Sequence, residues 1–196
     1  MAINYQLLES VLGENRLKIN FDLREHLRVG GKAEAFFIAA DTRELIKAVE
    51  ICRELKIGFI IIGQGTKVAV AEDGFKGLVI KNRSDNLKIF GIKGKISKEG
   101  IGVEEALIEA ASGVSLTRLA EFADHQGLGG LEDLNEDIGT VGGSVFINQT
   151  LREKATHAKV LDKAGDIKEK DIFELDRSDI IVSVVFKLKS KNFSRI

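Results

Sequence analysis

The sequence predicts a mixed fold of helices and strands in two parts, on three observations. A strand, a capped helix and a second strand follow one another from Ala35 to Ile62, the pattern of a β-α-β unit with parallel strands and a right-handed crossover. After Gly77 the texture changes to apolar runs separated by glycines and charged turns, the pattern of an antiparallel meander. Two glycine clusters, Gly63-Gln64-Gly65 and Gly139-Thr140-Val141-Gly142-Gly143, fall one in each part. The change of topology comes near Ile80, which divides the chain into 1–80 and 81–196.

Size and charge narrow the class. The chain has 196 residues, 44% hydrophobic and 30% charged, enough for one core or for two small subdomains. Twenty-nine Lys and Arg against 30 Asp and Glu leave a net charge of −1, which argues against a nucleic-acid surface or a polybasic membrane anchor. The longest apolar runs, such as 58–62, are strand-length and too short to span a bilayer. Residues 1–10 carry an acid and no Lys or Arg and do not read as a secretion signal, so the expectation is a soluble cytoplasmic protein. A single cysteine, Cys52, excludes an internal disulfide, and its place on an apolar helix face makes it a small core residue. His26, His125 and His157 stand apart without metal-ligand spacing, so no metal site is expected, and His26 reads as an exposed loop residue.

Taken in order, Ile3, Leu7, Leu8, Val11 and Leu12 have helical spacing and Gly13 stops that helix. Ala35 to Ala40 is a strand. Asp41 caps the next helix, Glu44 is its capping-box partner, and Leu45, Ile46, Val49, Cys52 and Leu55 form one face before Gly58. Phe59 to Ile62 is a buried strand that runs into the first glycine cluster. Leu78 to Ile80, Leu87 to Ile92 and Ala106 to Ala110 read as short strands of the meander. A helix from Ser115 to Gln126 turns Leu116, Leu119, Ala120, Phe122 and Ala123 inward and ends at Gly127. The second glycine cluster leads into Ser144 to Asn148. A hairpin around Ala164-Gly165-Asp166 and a final strand, Ile180 to Leu188, complete the chain. The basic stretch from Lys81 to Lys98 alternates with apolar residues and reads as a solvated sheet face.

The glycine clusters carry the chemistry. Gly63-x-Gly65 lacks the third glycine of the dinucleotide-binding fingerprint and the Gly-Lys-Ser/Thr ending of a P-loop. With the Thr66 hydroxyl and the Lys67 ammonium it fits two readings, an ordinary strand-to-turn connection or a backbone nest for a diphosphate. Gly139 to Gly143 precedes a short helix whose free N–H groups would face an anion, or else lets that helix pack closely on a sheet. Two glycine-lined anion sites in separate parts imply one long ligand with a diphosphate between them. Ser178 has no nearby base in sequence and supports no Ser-His-Asp site.

The order of these blocks resembles a known family. Arg28-Val29-Gly30-Gly31, Gly63-Gln64-Gly65-Thr66-Lys67-Val68 and Asp73-Gly74-Phe75-Lys76-Gly77-Leu78-Val79-Ile80 are similar to the first half of the UDP-N-acetylenolpyruvoylglucosamine reductases (MurB). Ser112-Gly113-Val114-Ser115-Leu116, Gly127-Leu128-Gly129-Gly130-Leu131-Glu132 and Gly139-Thr140-Val141-Gly142-Gly143-Ser144-Val145 continue the likeness, which runs from Leu23 to Leu188. The resemblance implies an α+β fold, the two-subdomain FAD-binding module of the vanillyl-alcohol-oxidase type, with FAD held non-covalently. It places cofactor contacts at Gly63, Gln64, Gly65, Thr66, Lys67 and Val68, and at Ser112, Ile138, Gly139, Thr140, Gly142 and Gly143. No histidine follows the first glycine loop, where relatives with covalent flavin carry one.

The resemblance also implies a reaction, in which hydride passes from NADPH through FAD to the enolpyruvyl double bond of a UDP-sugar in peptidoglycan precursor synthesis. The family's Tyr-Arg-x-Ser corresponds to Leu175-Asp176-Arg177-Ser178, which makes Arg177 the candidate catalytic residue. Lys67 stands where the family has Asn, and Asp137-Ile138 where it has Ile-Pro, which brings a carboxylate close to the expected phosphates. The family's third domain holds substrate and proton donor. The chain ends where that domain would begin, so the expectation is a module that does not complete the reaction alone and that a UDP-sugar or a separate protein would complete. The second reading is a non-catalytic scaffold or partner-binding domain of the same fold that has lost FAD.

Overall fold

Helix α1 (Tyr5–Leu12) begins where Asn4 accepts a hydrogen bond from Leu7 N at 3.1 Å, and ends at Gly13, whose φ of +103° suits glycine. The computed structural model describes residues 4–27, 30–66, 68–97, 100–134, 137–176 and 178–191. The chain divides into two units, Met1–Ser84 and Asp85–Ile196.

In the first unit, strands β1 (Lys18–Asp22) and β2 (Lys32–Ala39) are followed by helix α2 (Thr42–Glu54) and strands β3 (Phe59–Ile62) and β4 (Phe75–Asn82). Asp41 caps α2 by accepting from Glu44 N at 2.9 Å. The Glu44 carboxylate does not close a standard capping box. It accepts from Ala40 N at 2.7 Å, one residue upstream of the cap, and pairs with the Arg16 guanidinium. Leu45, Ala48, Val49 and Cys52 are buried, and burial pushes the Cys52 thiol up to about 12, the behaviour of an inert core residue.

Among the described residues the sheet runs β1-β2-β4-β3, with β1 antiparallel to β2 and with β4 parallel to both β2 and β3. The β-α-β unit therefore has its parallel strands, but β4 lies between them. This corrects the placing of Leu78 to Ile80 in an antiparallel meander, and a boundary after Ile80 falls inside a strand. Leu78, Val79 and Ile80 are all fully buried, as a central parallel strand covered on both faces requires. Because β3 and β4 are parallel neighbours, the chain must return from the carboxyl end of one to the amino end of the other. Residues 63–74 make that return, with no helix among the described ones, close to the shortest length that can do so.

In the second unit, β5 (Leu87–Ser97) and β6 (Gly100–Ala111) form a long antiparallel pair, followed by helix α3 (Leu116–His125) and strand β7 (Leu128–Gly129). Helices α4 (Val141–Ser144) and α5 (Gln149–Lys154) precede strands β8 (Ala155–Leu161), β9 (Ile167–Asp171) and β10 (Ile180–Ser190). Among the described residues the sheet order is β5-β6-β10-β8-β9, with β7 paired to β10. The register shifts between Ile89 and Gly91 and between Lys93 and Gly94, irregularities that make one long strand read as short pieces. One face of the sheet carries the core: Ile108, Ala110, Val184, Phe186 and Leu188 pack with Leu116, Leu119, Val141 and Leu151.

The opposite face holds a buried charge. Glu109 Oε1 accepts from Lys159 Nζ at 2.8 Å and from Ser183 Oγ at 2.9 Å, while Lys88 Nζ approaches Oε2 at 3.1 Å without the alignment of a hydrogen bond. Burial alone would push this carboxyl up. The contacts from Lys159, Ser183 and Lys88 outweigh it and bring the pKa down to about 2.

Candidate cofactor site

Gly63, Gln64, Gly65, Thr66 and Val68 lie on the crossover between β3 and β4, which leaves the sheet at the carboxyl edge of its parallel strands. That edge is where ligands bind open α/β sheets. Gln64, Thr66 and Val68 are exposed there, and Lys67 lies outside the described residues. Gly65 has a φ of +82°, and a Cβ built on it would stand 2.6 Å from the His26 carbonyl oxygen and 2.5 Å from Leu27 Cδ2. Glycine is therefore required at this position by the chain's own backbone, ligand or not.

The return of the crossover is fastened to a second block. Gly31 N and Gly74 N both donate to Ala71 O, at 3.1 and 2.9 Å, and a Cβ on Gly31 would meet Glu72 O at 2.3 Å. Gly30-Gly31 and the 63–74 crossover, far apart in sequence, thus pack as one piece, while Arg28 and Val29 lie outside the described residues. His26, expected on an exposed loop, is half-buried instead. Its ring stacks on Phe36 with centroids 5.0 Å apart and an interplanar angle of 13°, and lies 5.7 Å from Phe21. Burial lowers its pKa, Lys81, Arg83 and Lys18 lower it further, and Glu25 opposes them.

Lys81 is the residue that the sequence reading misplaced. It stands in register with Ile38 of β2 and Ile62 of β3 and is only 8% exposed, so it is not on a solvated face. By strand alternation it shares a face with Val79, which packs with Phe36, Ile62, Leu23 and Leu27. The signal in the sequence was its place at the end of the apolar run Leu78-Val79-Ile80.

In the second unit, Ser112, Gly139, Thr140, Gly142 and Gly143 come together. Gly142 N donates to Ser112 O at 2.8 Å, and Val141 N to Val114 O at 2.8 Å. Thr140 caps α4, its Oγ1 accepting from Gly143 N at 3.4 Å and its carbonyl from Ser144 N at 2.9 Å. A Cβ on Gly142 would meet Ser112 Cβ at 2.8 Å. The first-turn amides, expected to be free for an anion, are therefore committed to carbonyls and a hydroxyl of the protein. The glycines serve close packing of α4 on the 112–115 segment, the other reading left open by the sequence. Ile138, by contrast, is 59% exposed.

Asp137 accepts from Asn148 Nδ2 at 2.7 Å, and Asn148 Oδ1 caps α5 by accepting from Leu151 N at 2.8 Å. Ser178 Oγ donates to Asp176 Oδ1 at 2.5 Å in a local turn, and Arg177 lies outside the described residues. For a flavin nucleotide the fit is uneven. The first unit offers an exposed glycine loop at the carboxyl edge of its parallel strands, which suits a phosphate, whereas the second offers a rigid backbone platform and an exposed isoleucine rather than an amide cradle.

Comparison with known proteins adds to this geometry. Residues 33–165 match the family model described as the FAD binding domain. The chain is 29% identical, over 96% of its own length and 63% of the other's, to a UDP-N-acetylenolpyruvoylglucosamine reductase from Clostridium botulinum. The crystal structure of the reductase from Thermus caldophilus superposes with a TM-score of 0.66 at 21% identity, over 89% of this chain and 62% of that one. p-Cresol methylhydroxylase superposes with a TM-score of 0.57 at 16% identity, over 95% of this chain and 42% of that one. The chain spans less than two thirds of the length of the curated relatives it matches. The fold is the two-part α+β module that these flavoprotein structures share.

Proposed function

The chain belongs to the FAD binding domain family, and from that premise we propose that it holds FAD non-covalently as a MurB-like flavoprotein module. The observation that carries this reading is the glycine-bearing crossover at the carboxyl edge of parallel strands, inside the residues that match the family. Gly63, Gln64, Gly65, Thr66, Lys67 and Val68 serve the phosphate side. Ser112, Ile138, Gly139, Thr140, Gly142 and Gly143 are the residues of the second unit to which the likeness assigns cofactor contacts.

FAD, when bound, supplies two-electron redox chemistry that no side chain of this protein can perform. The protein's own part is to orient it and to exclude water. NADPH as electron donor, the enolpyruvyl group of a UDP-sugar as acceptor, Arg177 as the cation beside the reacting group and a cytoplasmic location follow from the likeness to the reductases and share this status.

A second reading, a scaffold of the same fold without FAD, is favoured by one observation. The α4 amides that would face an anion are bonded to Ser112 O, Val114 O and Thr140 Oγ1. The absorbance spectrum of the purified chain separates the two. Flavin bands, with FAD released on denaturation, support the first, and a colourless protein that takes up no added FAD supports the second.

A further inference from the structure

We propose that Asp137 and Asn148 are positioning residues, whose side-chain pair is a latch that closes the 137–148 segment at its neck and fixes the exposed Ile138 for the cofactor. The positioning role rests on the FAD reading, whereas the latch does not.

Both ends of the Asn148 carboxamide are committed. Its Oδ1 accepts from Leu151 N at 2.8 Å, so its Nδ2 is the end that faces Asp137, donating to Oδ2 at 2.7 Å. Turning the amide over would set a donor against the Leu151 N–H and an oxygen against a carboxylate, so the pair has one sense only. The bond joins residues 11 apart in the chain and encloses Gly139–Gly143 and α4 in a single ring. Asp137, which the sequence sets as a carboxylate close to the phosphates, thus commits Oδ2 to a neighbouring amide.

The backbone is anchored on both sides of Ile138. Asp137 N donates to Leu134 O at 3.1 Å, and Gly139 O accepts from Leu116 N at 3.1 Å. At the other end of the ring, Asn148 N donates to Ser144 O at 2.8 Å. Gly139 and Thr140 are buried, so the chain goes from a fixed, half-buried Asp137 to a buried Gly139 and leaves only the isoleucine between them outside. An apolar side chain held this way has already lost its backbone freedom, and a flat apolar ring that covers it has less ordering to do. The chain contains no proline, so no pyrrolidine ring restricts the entry to Gly139, and the side-chain bond restricts it instead.

Two variants of the full chain test the latch. Asn148→Asp isolates it, because aspartate caps a helix as well as asparagine does but sets a second carboxylate against Asp137. The double variant Asp137→Asn/Asn148→Asp restores the pair with donor and acceptor swapped, at the net charge of wild type. In the ligand-free protein, hydrogen exchange across 137–148 should quicken about 10- to 100-fold in Asn148→Asp, the effect of one charge-assisted contact, and return to within about two-fold of wild type in the swapped pair. FAD titration at high ionic strength, where long-range repulsion is screened, should follow the same order. Asn148→Asp should weaken binding by about 10-fold and shift the absorbance bands of the bound flavin, and the swapped pair should recover both. Hydrogen exchange that ignores Asn148→Asp, or that the swapped pair fails to restore, overturns the latch. FAD affinity that ignores Asn148→Asp while hydrogen exchange follows the pair overturns the positioning role. A wild type that takes up no FAD while hydrogen exchange follows the pair leaves the latch standing and removes the FAD reading, and the positioning role with it.

Discussion

Glu109→Gln should soften the six-stranded sheet in a pH-dependent way. The glutamine fills the same space, and its carbonyl can still accept from Ser183 or Lys159, so the change removes charge rather than packing. In the folded chain the carboxyl sits at about 2 against an ordinary 4.5. At about 1.36 kcal/mol per pKa unit, that amounts to roughly 3 kcal/mol of stability at neutral pH. Glu109 is only 10% exposed, but Lys159 and Lys88 are 27% and 53% exposed, so solvent screening brings the expected loss to about 2 kcal/mol. A depressed carboxyl stabilises the fold fully above its unfolded value and loses that contribution as pH falls from about 4.5 towards 2. Urea unfolding followed by far-UV circular dichroism at pH 7 and pH 3 measures both ends. Wild type should exceed the variant by about 2 kcal/mol at pH 7, with most of the gap closed at pH 3. A gap of the same size at both pH values would mean that packing, not charge, is what Glu109 contributes.

Other substitutions separate packing from binding at the glycine loops. Gly65→Val should lower the melting temperature of the ligand-free protein, because its Cβ meets His26 O at 2.6 Å; loss of FAD in a variant that melts like wild type would instead return Gly65 to the ligand. Gly142→Ala should loosen α4 by roughly 1 to 3 kcal/mol in chemical denaturation, since the added methyl presses on Ser112 Cβ, and an unchanged midpoint would refute the packing role. Asp137→Asn keeps an acceptor for Asn148 and should leave stability within about 0.5 kcal/mol, while tightening FAD most at low salt. Affinity that ignores both the substitution and the salt would place the phosphates away from Asp137.

Local chemistry was the legible part of this fold. Asp41 caps its helix as the spacing of polar and apolar residues indicates, because a cap is a hydrogen bond across three residues. Long-range pairing was not legible. Nothing near Leu78–Ile80 says that β4 enters between β2 and β3, since that depends on the path of the crossover. Bulges at Gly91 and Gly94 broke a long hairpin into apparent fragments. At the site, glycine spacing located both loops but not what the glycines do. Gly65 yields to His26 O and Gly142 to Ser112, contacts that span many residues. Lys81 was read as solvated because charge in a strand usually marks an exposed face.

Whether this chain binds FAD is tested most directly by an equilibrium titration of FAD with the purified, flavin-free protein, followed by flavin fluorescence. The chain contains no tryptophan, so the signal comes from the flavin with little protein background. Saturable binding with one FAD per chain, reversed by denaturation, is the predicted result. Flavin fluorescence that stays unchanged as a folded chain is added in large excess would contradict FAD binding.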